Sequence, residues 1–275
     1  MDSLVSTEWL SQHLGEPDLT IVDASWFMPA SGRSGREEYL AAHVPGARFL
    51  DIDAVRDANH PAPHMLPSAQ AFGQSMERLG VGRDGRIIVY DNSPLRTAAR
   101  GWSMLRHFGA EKVAILDGGF QRWTAEERPT ESGEPLPRTA RFEALERDEL
   151  VTKQQLLGNG LPWLDARGRP RFEGTEADAR PGVAPGHAPG ARNLPFAELY
   201  RDDGRFKPIE ELERLFAEAG IDPTQPFVAS CGSGVTANSL IFAAHLLGNE
   251  GAKLYDGSWS EWGADPATPK ALGPA

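Results

Sequence analysis

The chain has 275 residues, 40% of them hydrophobic and 24% charged, which is enough for a sizeable core and for two domains of ordinary size. Its formal net charge of −11 comes from 39 acidic against 28 basic side chains, with no dense Lys/Arg stripe, so nucleic acid is not an expected partner. No apolar run is long enough to span a bilayer, and Met1 to Leu10 carries Asp2 and Glu8 where a secretory signal needs a basic start and an apolar block; the expectation is a cytoplasmic protein without a membrane partner.

In chain order, Thr20–Asp23 is the first short apolar run that reads as a buried strand. The segment Ala42-His43-Val44-Pro45-Gly46-Ala47-Arg48 follows, then Leu50-Asp51-Ile52-Asp53 and His64-Met65-Leu66-Pro67. Ser68 can cap a helix with Phe72, Met76 and Leu79 on its apolar face and Gly80 as its stop. Arg86–Tyr90 and Val113–Leu116 read as further strands, the second running into Asp117-Gly118-Gly119-Phe120-Gln121-Arg122-Trp123. From Pro129 to Arg147 the charge is high and periodicity is weak, with three prolines; this is expected to be a linker, tied along the surface by Leu136, Phe142 and Leu145.

The grammar then repeats. Trp163–Asp165, Phe227–Ser230 and Ala252–Tyr255 read as strands, and Pro208 opens a helix with Leu212, Leu215, Phe216 and Ala219 inward and Gly220 as its stop. Gly186-His187-Ala188-Pro189-Gly190-Ala191-Arg192 answers the earlier His43 segment, with His187 lying 144 residues after His43. Tyr255-Asp256-Gly257-Ser258-Trp259-Ser260-Glu261-Trp262 answers the Asp117 segment, with Asp256 lying 139 residues after Asp117. A period this long indicates a duplicated domain and not a stacked array. Continuous apolar strands alternating with helices imply an α/β fold with parallel sheets covered on both faces. The expected domains are 1–128 and 148–275, joined by 129–147.

The sequence contains one cysteine, Cys231, so it can form neither an internal disulfide nor a cysteine-rich zinc site. A lone cysteine is by default a small buried hydrophobe, but Cys231 stands at the carboxyl end of a strand, where open parallel sheets bind ligands. Gly232-Ser233-Gly234-Val235-Thr236-Ala237 follows it, and then a helical run with Leu240, Ile241, Ala244 and Leu247. Two glycines allow the backbone to curl its N–H groups toward the sulfur, and the helix adds its positive end; both favour a thiolate. In the first half the matching position is Asp91.

The segment from Cys231 to Ala237, the tandem domains, both His-x-Pro-Gly-Ala segments and the closing Asp-Gly-Ser-Trp resemble the rhodanese superfamily, and within it the 3-mercaptopyruvate sulfurtransferases. The resemblance spans nearly the whole chain. It implies a tandem pair of rhodanese-like domains and a sulfur transfer from 3-mercaptopyruvate through a Cys231 persulfide to a thiol, such as thioredoxin or a small thiol, or to cyanide, with no metal or cofactor. It also implies that Gly232, Gly234, Val235 and Thr236 shape the donor site. Arg171 and Arg180 would hold the donor's carboxylate; Arg167 and Arg169 lie close enough in sequence to be confused with them, and Ala179 stands where the family often has proline. Asp53, His64 and Ser233 would form a relay attending the cysteine. His43 and His187, present in both halves, are expected to be structural.

Three rivals stand beside this reading. A thiosulfate sulfurtransferase typically has basic residues directly after the cysteine, where this chain has Gly232 and Ser233. A cysteine phosphatase needs an arginine about six residues on, where this chain has Ala237 and then Asn238. A non-catalytic binding module fits the first half alone.

Overall fold

The computed structural model describes residues 1–158 and 160–275, which divide into two compact units. Unit 1 comprises Met1–Arg56, Leu66–Asp148 and Arg201–Phe206; unit 2 comprises Asp57–Met65, Glu149–Tyr200 and Lys207–Ala275.

Unit 1 runs β1 (Leu4–Val5), α1 (Thr7–His13), β2 (Leu19–Asp23), α2 (Gly35–Ala41), β3 (Arg48–Phe49), α3 (Ala69–Leu79), β4 (Arg86–Tyr90), α4 (Ala98–His107), β5 (Val113–Leu116) and α5 (Gly119–Ala125). Its sheet is parallel throughout, in the order β1-β5-β4-β2-β3. Every residue of β2 and β5 is buried, as expected of strands covered on both faces. The α3 signals act as read: the Ser68 hydroxyl accepts from the Ala71 amide, Phe72 and Met76 are buried, and Gly80 ends the helix at φ 74°.

Unit 2 runs α6 (Lys153–Gly158), β6 (Trp163–Asp165), α7 (Arg169–Glu173), β7 (Arg192–Asn193), α8 (Ile209–Glu218), β8 (Val228–Ser230), α9 (Ala237–Leu246), β9 (Lys253–Leu254) and α10 (Ser258–Trp262). Its parallel sheet has the order β7-β6-β8-β9, and a single parallel bridge from Leu150 to Leu254 stands where unit 1 has β1. The strand orders are therefore the same, and the duplication inferred from the repeated segments is a duplication of topology. In α8, Leu212, Leu215 and Phe216 are buried, Ala219 caps the helix and Gly220 follows at φ 73°.

The repeated histidines are built into the core. His43 stacks on Tyr39 at 4.1 Å and its Nδ1 lies 2.7 Å from the Tyr39 carbonyl. His187 stacks on Phe172 at 3.9 Å with Nδ1 3.0 Å from the Phe172 carbonyl. Each fastens the His-x-Pro-Gly-Ala turn to the helix before it.

Two expectations about boundaries change. Residues 129–147 belong to unit 1: Phe142 is buried edge-on against Phe72 and its amide donates to Glu77, while Arg138 donates to the Pro17 carbonyl. Phe142 thus anchors the segment as expected, whereas Leu136 and Leu145 are exposed. The halves also exchange short pieces. The loop before α3 supplies 57–65 to unit 2, and the matching loop before α8 supplies 201–206 to unit 1, where the Phe206 amide donates to Asp117 at 3.0 Å. His64, in the first half of the sequence, is consequently part of unit 2.

A buried carboxylate closes the second strand of each sheet, with different compensation. Asp165 is paired with Arg167 at 2.7 Å, both side chains almost fully buried. Asp23 has no arginine partner, and burial pushes it up to about 7 against hydrogen bonds from Ser25 and Tyr90. An unfolded aspartate titrates near 3.8. Between those two values the native state keeps a proton that the unfolded state has released, so stability falls as pH rises through that window. Asp23→Asn removes this loss. Its stability advantage over the wild type, read from urea midpoints, is expected to grow between pH 5 and pH 8 by about 2–3 kcal/mol. A pH dependence identical in both proteins would show that Asp23 is not the group responsible.

Candidate active site

Cys231 follows β8 directly and is 2% exposed. The loop from Cys231 to Thr236 leads into α9 and is held by the side chains of Ser258 and Asn238. The amides of Cys231 and Gly234 both donate to the Ser258 hydroxyl, at 3.0 and 3.1 Å, and that hydroxyl donates to the Tyr255 carbonyl at 2.9 Å. The Asn238 side-chain amide donates to the Gly234 and Val235 carbonyls at 2.7 and 2.9 Å. Gly234 has φ 77°, and a Cβ there would meet the Asp256 carbonyl oxygen at 2.5 Å, so only glycine closes the curl.

The sequence reading assigned the loop amides to the sulfur as a group. The structure divides the task. Two of them are tied to Ser258, while among the described residues the amides of Gly232, Ser233, Val235 and Thr236 have no acceptor within the protein. Those four are the backbone donors that the loop can offer to a ligand. The Thr236 hydroxyl likewise has no partner among the described residues. Its counterpart Thr97 is fully engaged, donating to the Ala24 carbonyl and accepting from the Trp26 amide.

Ser258 is the residue that sequence reasoning missed. It opens α10 at φ 50°, fully buried, and its counterpart Gly119 opens α5 at φ 59°. A left-handed non-glycine residue costs about 1–2 kcal/mol, and unit 1 avoids that cost by using glycine. The available signal was the replacement of glycine by serine between the repeated segments, Asp-Gly-Gly-Phe against Asp-Gly-Ser-Trp.

The loop in unit 1 is closed from within. Asp91 stands in the place of the cysteine, and its two carboxylate oxygens accept from the Ser93 and Ala98 amides, both at 2.7 Å. Burial raises its pKa, against those bonds and the charge of Arg96.

The arginines sort cleanly. Arg167 is buried, bound to Asp165 and the Gly186 carbonyl, with its guanidinium 4.5 Å from the centre of the Trp259 ring. Arg169 is exposed and paired with Glu198. Arg171 and Arg180 instead converge beside the cysteine: a Cβ on Gly232 would lie 3.3 Å from an Nη2 of each, and Arg180 Nη1 donates to the Gly232 carbonyl at 2.7 Å. Both arginines are bound by Asp178, whose side chain is 3% exposed. Burial alone would raise Asp178, but hydrogen bonds from Arg180 and Arg171 outweigh it and hold the carboxyl well below the usual range.

His64 Nδ1 lies 2.9 Å from Ser233 Oγ, inside unit 2. His64 is buried and sits at φ 61°, a left-handed conformation held at a residue that also makes a specific polar contact. Asp53 lies in unit 1, where its Oδ2 accepts from the Trp26 indole N–H at 2.7 Å. Next to Arg180 a cleft of about 710 Å³ opens, bordered by His60, Ala62, Lys153, Ser260 and Asp265. The Ser260 amide donates to the Gly232 carbonyl, which joins the cleft wall to the cysteine loop. Among the described residues no helix is long and apolar enough to cross a membrane.

The site thus brings together a thiol at the head of a turn, two guanidiniums beside Gly232 and a hydroxyl–imidazole pair, an arrangement with the groups that sulfur chemistry on a carboxylate substrate would use. Known proteins resemble the chain over most of its length. A rhodanese-like domain matches residues 6–126 and again 149–265. The 3-mercaptopyruvate sulfurtransferase of Escherichia coli strain K12 is 42% identical over 266 residues, covering 94% of each chain. The thiosulfate sulfurtransferase of Rattus norvegicus is 41% identical over 273 residues, covering 94% of this chain and 91% of its own. The crystal structure of SseA from Escherichia coli, which represents the 3-mercaptopyruvate sulfotransferases, matches with a TM-score of 0.86 at 39% identity, covering 95% of this chain and all of that one. Total identity hardly separates the two kinds of relative, but the neutral Gly232 and Ser233 after the cysteine fit the first. The chain belongs to the rhodanese family, as a tandem-domain sulfurtransferase of the 3-mercaptopyruvate sulfurtransferase type.

Proposed function

We propose that the chain transfers a sulfur atom from 3-mercaptopyruvate through a persulfide on Cys231 to a thiol acceptor. The observation that carries this reading is the convergence of Arg171 and Arg180 on Gly232, directly beside the only cysteine. Guanidiniums bind carboxylates through paired charge-assisted hydrogen bonds, and a carboxylate held there presents its thiol-bearing end to Cys231.

The Cys231 thiolate attacks the donor sulfur. A sulfur–sulfur bond forms, the carbon–sulfur bond breaks, its electron pair leaves with pyruvate as the enolate, and the donor's S–H proton passes to solvent as the persulfide ionises. The Ser233 hydroxyl, hydrogen-bonded to His64, is the proton source for that leaving group, and His64 restores the hydroxyl. The amides of Gly232, Ser233, Val235 and Thr236 stabilise first the thiolate and then the anionic persulfide, so one fixed set of donors serves both half-reactions. An acceptor thiolate then attacks the outer sulfur and releases the Cys231 thiolate. The cleft beside Arg180 is the approach we assign to the acceptor, a small thiol or a protein thiol such as that of thioredoxin.

The decisive experiment is pyruvate release from 3-mercaptopyruvate, compared with turnover of thiosulfate, together with the intact mass after donor alone. The expected results are preference for 3-mercaptopyruvate and the mass of one added sulfur, both abolished by Cys231→Ser because an alkoxide is not accessible there at neutral pH. Preference for thiosulfate would replace this reading with the rival donor.

His64→Ala is expected to lower kcat by about 10²-fold with little change in KM, the scale of a positioned proton-transfer group. A change confined to KM would remove His64 from the chemistry. Ser258→Gly relieves the left-handed backbone while deleting the hydroxyl that ties two loop amides. It is expected to lower thermal stability, because two buried amides lose their acceptor, and to lower kcat by about tenfold, some 1.4 kcal/mol of transition-state stabilisation. Unchanged kcat would mean that the tie to Ser258 does not organise the anion site.

A further inference from the structure

We propose that Asp178 sets donor choice: its buried carboxylate clips Arg171 and Arg180 into one cradle of net charge +1, matched to a donor with a single carboxylate and mismatched to a dianion. This rests on the donor reading above and adds the residue that selects within it.

The geometry is specific. Asp178 Oδ1 accepts from Arg180 Nε at 2.8 Å and from the Arg180 amide at 3.0 Å, and Oδ2 accepts from Arg180 Nη2 at 2.8 Å and from Arg171 Nη2 at 2.7 Å. Four hydrogen bonds on two oxygens leave the carboxylate saturated, and its side chain is 3% exposed against 31% and 29% for the arginines. The carboxylate is thus the inner face of the cluster and the guanidiniums are its outer face.

Each guanidinium has five N–H donors. Arg180 engages three of them, two on Asp178 and one on the Gly232 carbonyl, and Arg171 engages one on Asp178. The remaining donors suffice for a carboxylate, and their directions are fixed before it arrives, because both planes are held by the same two oxygens.

The charge count follows from the same contacts. Two guanidiniums without Asp178 present +2; with it they present +1. At neutral pH 3-mercaptopyruvate carries one negative charge and thiosulfate carries two. Thiosulfate would be left with an uncompensated charge in a partly buried site, where screening by water is reduced. No cationic side chain directly follows Cys231 to supply the missing charge, since Gly232 and Ser233 occupy those positions.

Steady-state kinetics of the full chain with each donor, and cyanide as acceptor, test this on the wild type, Asp178→Asn and Asp178→Glu. Asp178→Asn keeps the size and one acceptor while removing the charge. It is expected to raise the ratio of kcat/KM for thiosulfate to that for 3-mercaptopyruvate by tenfold or more. Asp178→Glu keeps the charge while displacing the arginines. It is expected to raise KM for 3-mercaptopyruvate several-fold with kcat little changed, and to hold the donor ratio within threefold of the wild type. A merely structural residue would lower both donors together, and that result overturns the proposal. So does a Glu variant whose ratio shifts as the Asn variant's is expected to, a reading that stands even if Asp178→Asn does not fold. Wild-type protein that releases no pyruvate from 3-mercaptopyruvate would sink the donor reading and this proposal with it, whereas wild-type turnover with an unshifted ratio in Asp178→Asn sinks this proposal alone.

Discussion

Each sheet of this protein carries a strand-to-helix turn whose backbone N–H groups need an acceptor, and what answers that need decides the character of the unit. In unit 1 the chain supplies its own answer, the Asp91 carboxylate, which accepts from the amides of Ser93 and Ala98. In unit 2 the corresponding residue is Cys231, and four amides of the loop are left without a protein acceptor among the described residues. The same α/β architecture therefore yields a closed turn in one copy and an anion-receptive turn in the other. The supporting contacts follow that division: Thr97 is locked to the backbone where Thr236 is not, and strain is avoided at Gly119 but retained at Ser258.

Charge is arranged around the receptive turn by the same logic. Four arginines cluster in sequence between positions 167 and 180, and their neighbours assign them different work. Arg167 neutralises a core carboxylate and packs over Trp259, and Arg169 is a surface ion pair. Only Arg171 and Arg180 keep donors beside Gly232, because Asp178 occupies their inner edges. The counterpart of Asp165 in unit 1, Asp23, has no arginine and is correspondingly raised toward neutrality by burial. The buried carboxylates Asp165, Asp178 and Asp23 are thus respectively paired, shared between two cations, and close to protonated.

Much of this was legible in the sequence. The central strands of both sheets came from short continuous apolar runs, because a strand covered on two faces leaves no polar alternation to mislead. The two-residue edge strands β1, β3 and β7 were not legible, since a pair of residues has no period. Ser68, Gly80 and Pro208 marked helix ends because their signals are local. In 129–147 the anchoring by Phe142 was legible from its apolar side chain, whereas Leu136 and Leu145, equally apolar, stay exposed, because only tertiary packing decides which side chain is covered. The exchange of 57–65 and 201–206 could not be read at all, because which core a loop joins depends on tertiary contacts and not on its own residues. At the site, Cys231 stood out from its own loop, whereas Arg171, Arg180 and the His64–Ser233 pair came only from the resemblance to the rhodanese family. Ser258 and Asp178 were missed because each acts on another functional residue from outside the loop.

The solitary, 2% exposed cysteine has a consequence for damage and repair. A thiol oxidised to the sulfenic state is commonly rescued when a neighbouring thiol condenses with it to form a disulfide. This chain has no such resolving partner, so reversal at Cys231 depends on a reductant arriving from solution. The near-complete burial of the sulfur, by limiting oxidant access, is then its main defence before that reductant comes. A catalyst of this design has a turnover lifetime set by the supply of external thiol as well as by the supply of donor.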